Sequence, residues 1–183
     1  MKGIFYGIGI GPGDPEHITL KAVRMMKEVD VIAAPGTDVK ETLAYRIAVQ
    51  AVPEIEQKEM LPIDMPMTLD KEILVKAHKH GAETIEKVLA KGKNVGFITL
   101  GDTTVYSTFS YLEKIVKNHG FETVYISGIT SFCAAAASLG IPLTEWQEPL
   151  HVIPAVHQLD DKLALDGSYV LMKSGRQMPK VKE

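Results

Sequence analysis

The sequence predicts an α/β protein of two domains, and three observations predict it. Short apolar runs alternate with stretches whose apolar residues recur every three to four positions, the pattern of a parallel sheet with helical crossovers. Three of those runs end in glycine-bearing turns, at 9–15, 101–106 and 128–132, each just before a helix-like stretch. A polar break, Lys117-Asn-His-Gly120, then separates two groups of strand-like runs that need not share one sheet. The expected domains are residues 1–118 and 119–183.

Residues 4–10 are apolar and close on glycines, which suits a buried strand. In the turn that follows, Asp14 stands as an N-cap with Pro15 at the first helical position, and Ile18, Ala22, Met25, Met26 and Val29 trace the apolar stripe of a helix. Residues 29–34 read as the next strand, stopped by Pro35-Gly36, 42–52 as a helix, and 58–61 as a short strand. A long polar-faced helix at 70–91 closes at Gly92. Residues 95–100 form the strand before the turn at 101–106, and Phe109, Leu112, Ile115 and Val116 mark a helix ending near Gly120. Beyond the break come a strand at 122–126, a small-residue helix at 131–139, and strands at 150–153 and 168–172. The connection 62–69 carries two prolines and two methionines, which fits either an exposed loop over a flat apolar ligand or an ordinary packed connection.

A chain of 183 residues with 45% hydrophobic content can furnish a globular core. The formal charge of -3, with Lys and Arg scattered, argues against a nucleic-acid partner. No apolar run approaches the roughly 20 residues that span a bilayer, and the N-terminus has no signal-peptide pattern, so no membrane partner and a cytoplasmic address are expected. Cys133 is the single cysteine and sits among small apolar residues, so it reads as a core residue. His78 and His80, two apart on a helix amid lysines, read as solvated, and no metal site is expected.

In open parallel sheets ligands gather beyond the carboxyl ends of the strands, which lines the turns 9–15 and 101–106 along one cleft. The first turn is not a dinucleotide fingerprint: counted from Gly7 or Gly9, the third required glycine falls on Pro12 or Asp14. Its two prolines also leave fewer backbone donors for a pyrophosphate, and no P-loop occurs in the chain. Asp102 in the second turn either receives ribose hydroxyls or an ammonium, or caps a helix starting near Thr103. Thr130 and Ser131 in the third turn have the same two options.

Three segments, "GIGIGPGDPEHITLKAVRMMKEVDVIAAP" (7–35), "ITLGDTTVYSTFSYL" (98–112) and "ISGITSFCAAAASLGIPL" (126–143), together resemble the tetrapyrrole methylases of corrin and sirohaem synthesis. The resemblance keeps the family's order and covers nearly the whole chain. It implies two α/β domains with an S-adenosylmethionine site in the cleft between them, a tetrapyrrole substrate and a homodimer. It implies cofactor contacts at Gly101, Asp102, Thr103, Val105, Tyr106, Thr130 and Ser131, with Ala155, Val156 and Met172 further along. The tetrapyrrole trough would take Gly9, Gly11, Pro12, Gly13 and Asp14. Methyl transfer from a sulfonium to an electron-rich bridging carbon mainly needs alignment, and Asp14 is the candidate proton acceptor set against its role as a cap. The family continues past the point where this sequence stops, so the second domain is expected to be truncated.

Overall fold

The computed structural model describes residues 1–68, 70–154 and 165–173. Five strands, β1 (Phe5–Gly9), β2 (Val31–Pro35), β3 (Glu59–Ile63), β4 (Val95–Thr99) and β5 (Thr123–Ile126), form one parallel sheet in the order β3-β2-β4-β1-β5. The three central strands are buried on both faces, as their unbroken apolar sequences require. Ile8, Ile10, Ile32 and Ile98 pack on one face under α1 (Leu20–Glu28) and α2 (Leu43–Ala51). Phe5, Val31, Ala33 and Phe97 pack on the other under α3 (Lys71–Leu89) and α4 (Phe109–Asn118). Gly7 is what lets α4 lie so close: a Cβ there would stand 2.4 Å from the Phe109 ring.

Hydroxyl and carboxylate caps start α1, α2 and α3. Thr19 Oγ1 accepts from the Ala22 N–H at 3.2 Å, Thr42 Oγ1 from Tyr45 at 3.2 Å, and Asp70 Oδ1 from Glu72 and Ile73 at 2.9 and 3.3 Å. The expected cap at Asp14 belongs to a shorter element. Asp14 Oδ1 accepts from the Glu16 N–H at 2.9 Å and caps a single 3-10 turn, Pro15–His17, after which the chain extends through Ile18 before Thr19 begins α1.

The described chain divides into two compact units, Met1–Ser131 and Phe132–Glu183. The boundary expected at 118/119 falls inside the first unit, because β5 pairs with β1 from Phe5↔Thr123 to Ile8↔Ile126. The polar break is only the turn between α4 and β5, where Gly120 adopts a φ of +80° and donates to Lys117 O. α5 (Ser131–Leu139) straddles the boundary. In the second unit β6 (Leu150–Pro154) and β7 (Ser168–Met172) pair in parallel from Leu150↔Ser168 to Pro154↔Met172.

Two single-residue expectations change. Cys133 is exposed: of the residues of α5 only Ala136 is buried. His78 is half-buried and stacks on Tyr111 of α4, with ring centroids 4.8 Å apart and planes within 8°. Burial pushes its pKa below the ordinary histidine value.

Candidate functional site

The strand order contains one topological switch point. From β1 the chain crosses to β2 on one side, and from β4 it crosses to β5 on the other, while β1 and β4 are neighbours. The loops leaving these two strands meet at the carboxyl edge of the sheet, the edge where ligands of such folds bind.

The loops are tied together through glycine backbone. Gly11 and Gly101 form an antiparallel bridge, with Gly11 N–H to Gly101 O at 3.3 Å and Gly101 N–H to Gly11 O at 2.8 Å. Both adopt positive φ, +77° and +70°, which glycine takes without steric cost. The turn after β5 joins them at Gly128, where a Cβ would stand 2.2 Å from Gly101 O. A Cβ on Gly9 would meet Gly101 O and Gly128 N, each at 2.7 Å. Gly128 opens the third turn of the sequence, but its sequence setting does not announce the close approach to the other two loops.

Asp102 locks this junction. It is buried, at 8% exposure, and Oδ2 accepts the Gly128 N–H at 2.9 Å. Its Oδ1 accepts the Thr104 N–H at 2.7 Å and the Thr104 hydroxyl. The helix-cap option for Asp102 is overturned, since α4 begins only at Phe109 and residues 103–108 run as turns. Thr103 is fully buried and donates from Oγ1 to Ile126 O at 3.3 Å, a second link to β5. Ser107 Oγ accepts from the Phe109 N–H at 3.2 Å and leads the chain into α4. Between these anchors Val105 is half-buried, and Tyr106 is exposed with a φ of +49°, a left-handed conformation that costs a non-glycine residue about 1–2 kcal/mol.

Of the other expected positions, Thr130 carries a buried Oγ1 with no hydrogen-bond partner. Ser131 is exposed at the first residue of α5. Gly9 and Gly11 are buried in the loop junction, Pro12 is half-buried, and Gly13 and Asp14 are exposed, with open space around Gly13. The structure thus brings Gly9, Gly11, Gly101, Asp102 and Thr103 together. Met172 lies half-buried in β7 of the second unit, while Ala155 and Val156 lie outside the described residues.

The two edges of the sheet differ in character. Leu20, Leu43, Met67, Leu100 and Tyr106 are exposed, and each stands in a loop or at a helix start following β1, β2, β3 or β4, hence at the carboxyl edge. Met65 instead packs against the core, so the described part of the loop after β3, residues 64–68, is partly packed and partly open. At the opposite edge, lysines find partners: Lys27 with Glu54 at 2.8 Å, Lys93 with Glu59 at 2.6 Å, and Lys58 on Lys27 O at 2.9 Å. The carboxyl edge offers an apolar rim, glycine backbone and hydroxyls. Among the described residues no three His, Cys, Asp or Glu side chains group to hold a metal, and no helix is long and apolar enough to cross a membrane.

The family model for the tetrapyrrole (corrin/porphyrin) methylases matches residues 5–183. A probable cobalt-precorrin-2 C(20)-methyltransferase of Methanocaldococcus jannaschii is 39% identical over 170 residues, covering 92% of this chain and 71% of that protein. A cobalt-precorrin-2 C(20)-methyltransferase of Salmonella typhimurium is 32% identical over 187 residues, covering 100% of this chain and 77% of that protein. The X-ray structure of a cobalt precorrin-4 methyltransferase superposes with a TM-score of 0.73 at 22% identity, covering 97% of this chain and 72% of that one.

Proposed function

The chain belongs to the tetrapyrrole (corrin/porphyrin) methylases, and from that premise we propose that it methylates the C(20) bridging carbon of precorrin-2 or its cobalt complex, using S-adenosylmethionine, in cobalamin biosynthesis. The segments Met65-Pro-Met-Thr68 and Val152-Ile-Pro-Ala155 also resemble that subgroup. The structural observation that carries the reading is the junction of glycine loops at the β1/β4 switch point, locked by Asp102 and bordered by an exposed apolar rim.

The residues present suit the methyl donor. Thr130 Oγ1 is a buried hydroxyl without a partner, and an orphaned polar atom of this kind costs stability unless a ligand meets it. The segment Gly101 to Tyr106 offers backbone groups and hydroxyls beside it. When bound, S-adenosylmethionine supplies a methyl group already activated by the sulfonium. The chain's task is then alignment and exclusion of water, which rigid loops perform better than mobile ones. The Asp102 carboxylate serves that end by fixing the loop, both of its oxygens being engaged by protein donors.

The exposed rim residues Leu20, Leu43, Met67 and Leu100 receive the faces of the macrocycle, beside the trough at Pro12 to Asp14. Asp14 is exposed and uses Oδ1 for its cap, which leaves Oδ2 to accept the proton lost from the bridging carbon. The protein acts in the cytoplasm as a homodimer, on the strength of the family resemblance. The test is incubation with S-adenosylmethionine and, in turn, precorrin-2, its cobalt complex and uroporphyrinogen III, reading S-adenosylhomocysteine and product mass. A gain of one methyl on precorrin-2 or its cobalt complex is expected. Methylation of uroporphyrinogen III alone, or no transfer to any of the three, overturns the proposal.

A further inference from the structure

We propose that His17 is a substrate-positioning residue, whose imidazole hydrogen-bonds a carboxylate of the tetrapyrrole at the carboxyl edge of the sheet; this rests on the tetrapyrrole reading above. His17 Nδ1 is buried and has no hydrogen-bond partner. A ring that served packing alone would do better as phenylalanine, because a desolvated nitrogen left unmet destabilises the fold. The position explains the exception. His17 ends the 3-10 turn that follows the trough segment Pro12 to Asp14. Its Cβ lies 3.2 Å from where a Cβ on Gly11 would stand, so it packs on the glycine bridged to Gly101. Two residues on, Thr19 Oγ1 donates to Ser127 O at 3.4 Å, which brings the turn beside the loop leaving β5. The residue that carries the ring therefore packs on the junction of the β1 and β4 loops, with the β5 loop two residues on.

The turn can also let the ring move. It is three residues long, held by the Asp14 cap at one end and by the Ile18 N–H on Pro15 O, at 3.2 Å, at the other. The residue as a whole is half-exposed, so rotation about its side-chain torsions can bring the orphaned nitrogen to the surface at the carboxyl edge of the sheet. A tetrapyrrole of this class carries several carboxylates, and an imidazole donor to one of them satisfies the nitrogen that the free protein leaves unmet.

The experiment compares wild type with His17→Phe, reading KM for cobalt-precorrin-2, KM for S-adenosylmethionine and Tm, together with long-range 1H–15N spectra of the wild-type imidazoles during titration with cobalt-precorrin-2. A rise in the tetrapyrrole KM of roughly tenfold or more is expected, the equivalent of one hydrogen bond to a charged group. The KM for S-adenosylmethionine should stay within twofold and Tm should hold or rise, an outcome a merely structural histidine would not give. The His17 ring nitrogens should shift on saturation. An unchanged tetrapyrrole KM, or ring nitrogens that stay put while tetrapyrrole binds, overturns the assignment. Should His17→Phe fail to fold, the wild-type titration decides alone. Absence of methyl transfer by wild type would sink the functional reading instead, and the spectra would still report on His17.

Discussion

Replacing Asp102 by asparagine separates the two roles that an acid in a glycine turn can have. Asparagine caps turns and helices about as well as aspartate, so a mere turn-stabilising residue would tolerate the change. In the junction it cannot, because one carboxylate oxygen accepts the Gly128 N–H at 2.9 Å while the other accepts the Thr104 N–H at 2.7 Å. An amide presents one acceptor and one donor, so whichever way it turns, a donor faces a donor. The amide group will face the Thr104 N–H and strain that side, or face Gly128 and orphan a backbone N–H in the glycine junction. Loss of one charge-assisted bond at a buried site costs about 2 kcal/mol, which for a chain of this size lowers Tm by roughly 4–8 °C. Thermal unfolding of wild type, Asp102→Asn and Asp102→Ala should place Asp102→Asn well below wild type and Asp102→Ala, which loses both acceptors, at least as low. Calorimetric titration with S-adenosylmethionine should show weaker binding in both, because the loop it would rest on loses its anchor. Asparagine within about 0.5 kcal/mol of wild type refutes the lock, and a loss of affinity with unchanged unfolding would return the carboxylate to direct ligand contact.

Gly7→Ala drives a methyl group to 2.4 Å from the Phe109 ring, and urea unfolding should show a loss of about 1–3 kcal/mol that Phe109→Leu partly restores; independent, additive effects would refute the contact. For His78 the folded-state pKa lies below the ordinary 6.5, so its neutral form contributes stability that is present above about pH 6.5 and lost as pH falls through the folded value. His78→Phe keeps a ring on Tyr111 but cannot take the proton, so denaturation midpoints should move in the variant's favour from about pH 7 to about pH 5. A constant difference between the two proteins would show that His78 titrates normally. Cys133 should react with an aromatic disulfide reagent in the native protein without denaturant, whereas reaction only on unfolding would restore the core reading.

Much of the first unit follows from local pattern. The runs that became β1, β2 and β4 are apolar without interruption, which in a strand means burial on both faces and hence a parallel sheet covered by helices. Boundaries failed where a local signal had two meanings. Pro62 suggested the end of a strand at residue 61, yet β3 runs to Ile63, because it is an edge strand and a proline there removes no ladder bond that the sheet needs. Asp14-Pro15 has the chemistry of a helix start, and it does start one, but of a single 3-10 turn. For Cys133 the sequence is silent on which side faces inward, because the alanine run beside it carries no apolar periodicity.

The site was legible as three turns, while the way they join was not. Glycine at 9, 101 and 128 announces only that a side chain would be unwelcome, and whether the obstacle is a phosphate, a ligand or another loop depends on neighbours 27 to 119 positions away in the chain, as between Gly101 and Gly128 or Gly9 and Gly128. The structure answers that the obstacle is the other two loops: Gly101 O stands 2.7 Å or less from a Cβ at either of the other positions. That answer changes the chemistry expected of Asp102. An acid chosen for ribose hydroxyls would aim its lone pairs outward, whereas this one aims both oxygens at protein donors. Among the described residues the buried side-chain atoms left unmet are the Thr130 hydroxyl and the His17 ring nitrogen, and it is on these that the proposed recognition of ligand rests.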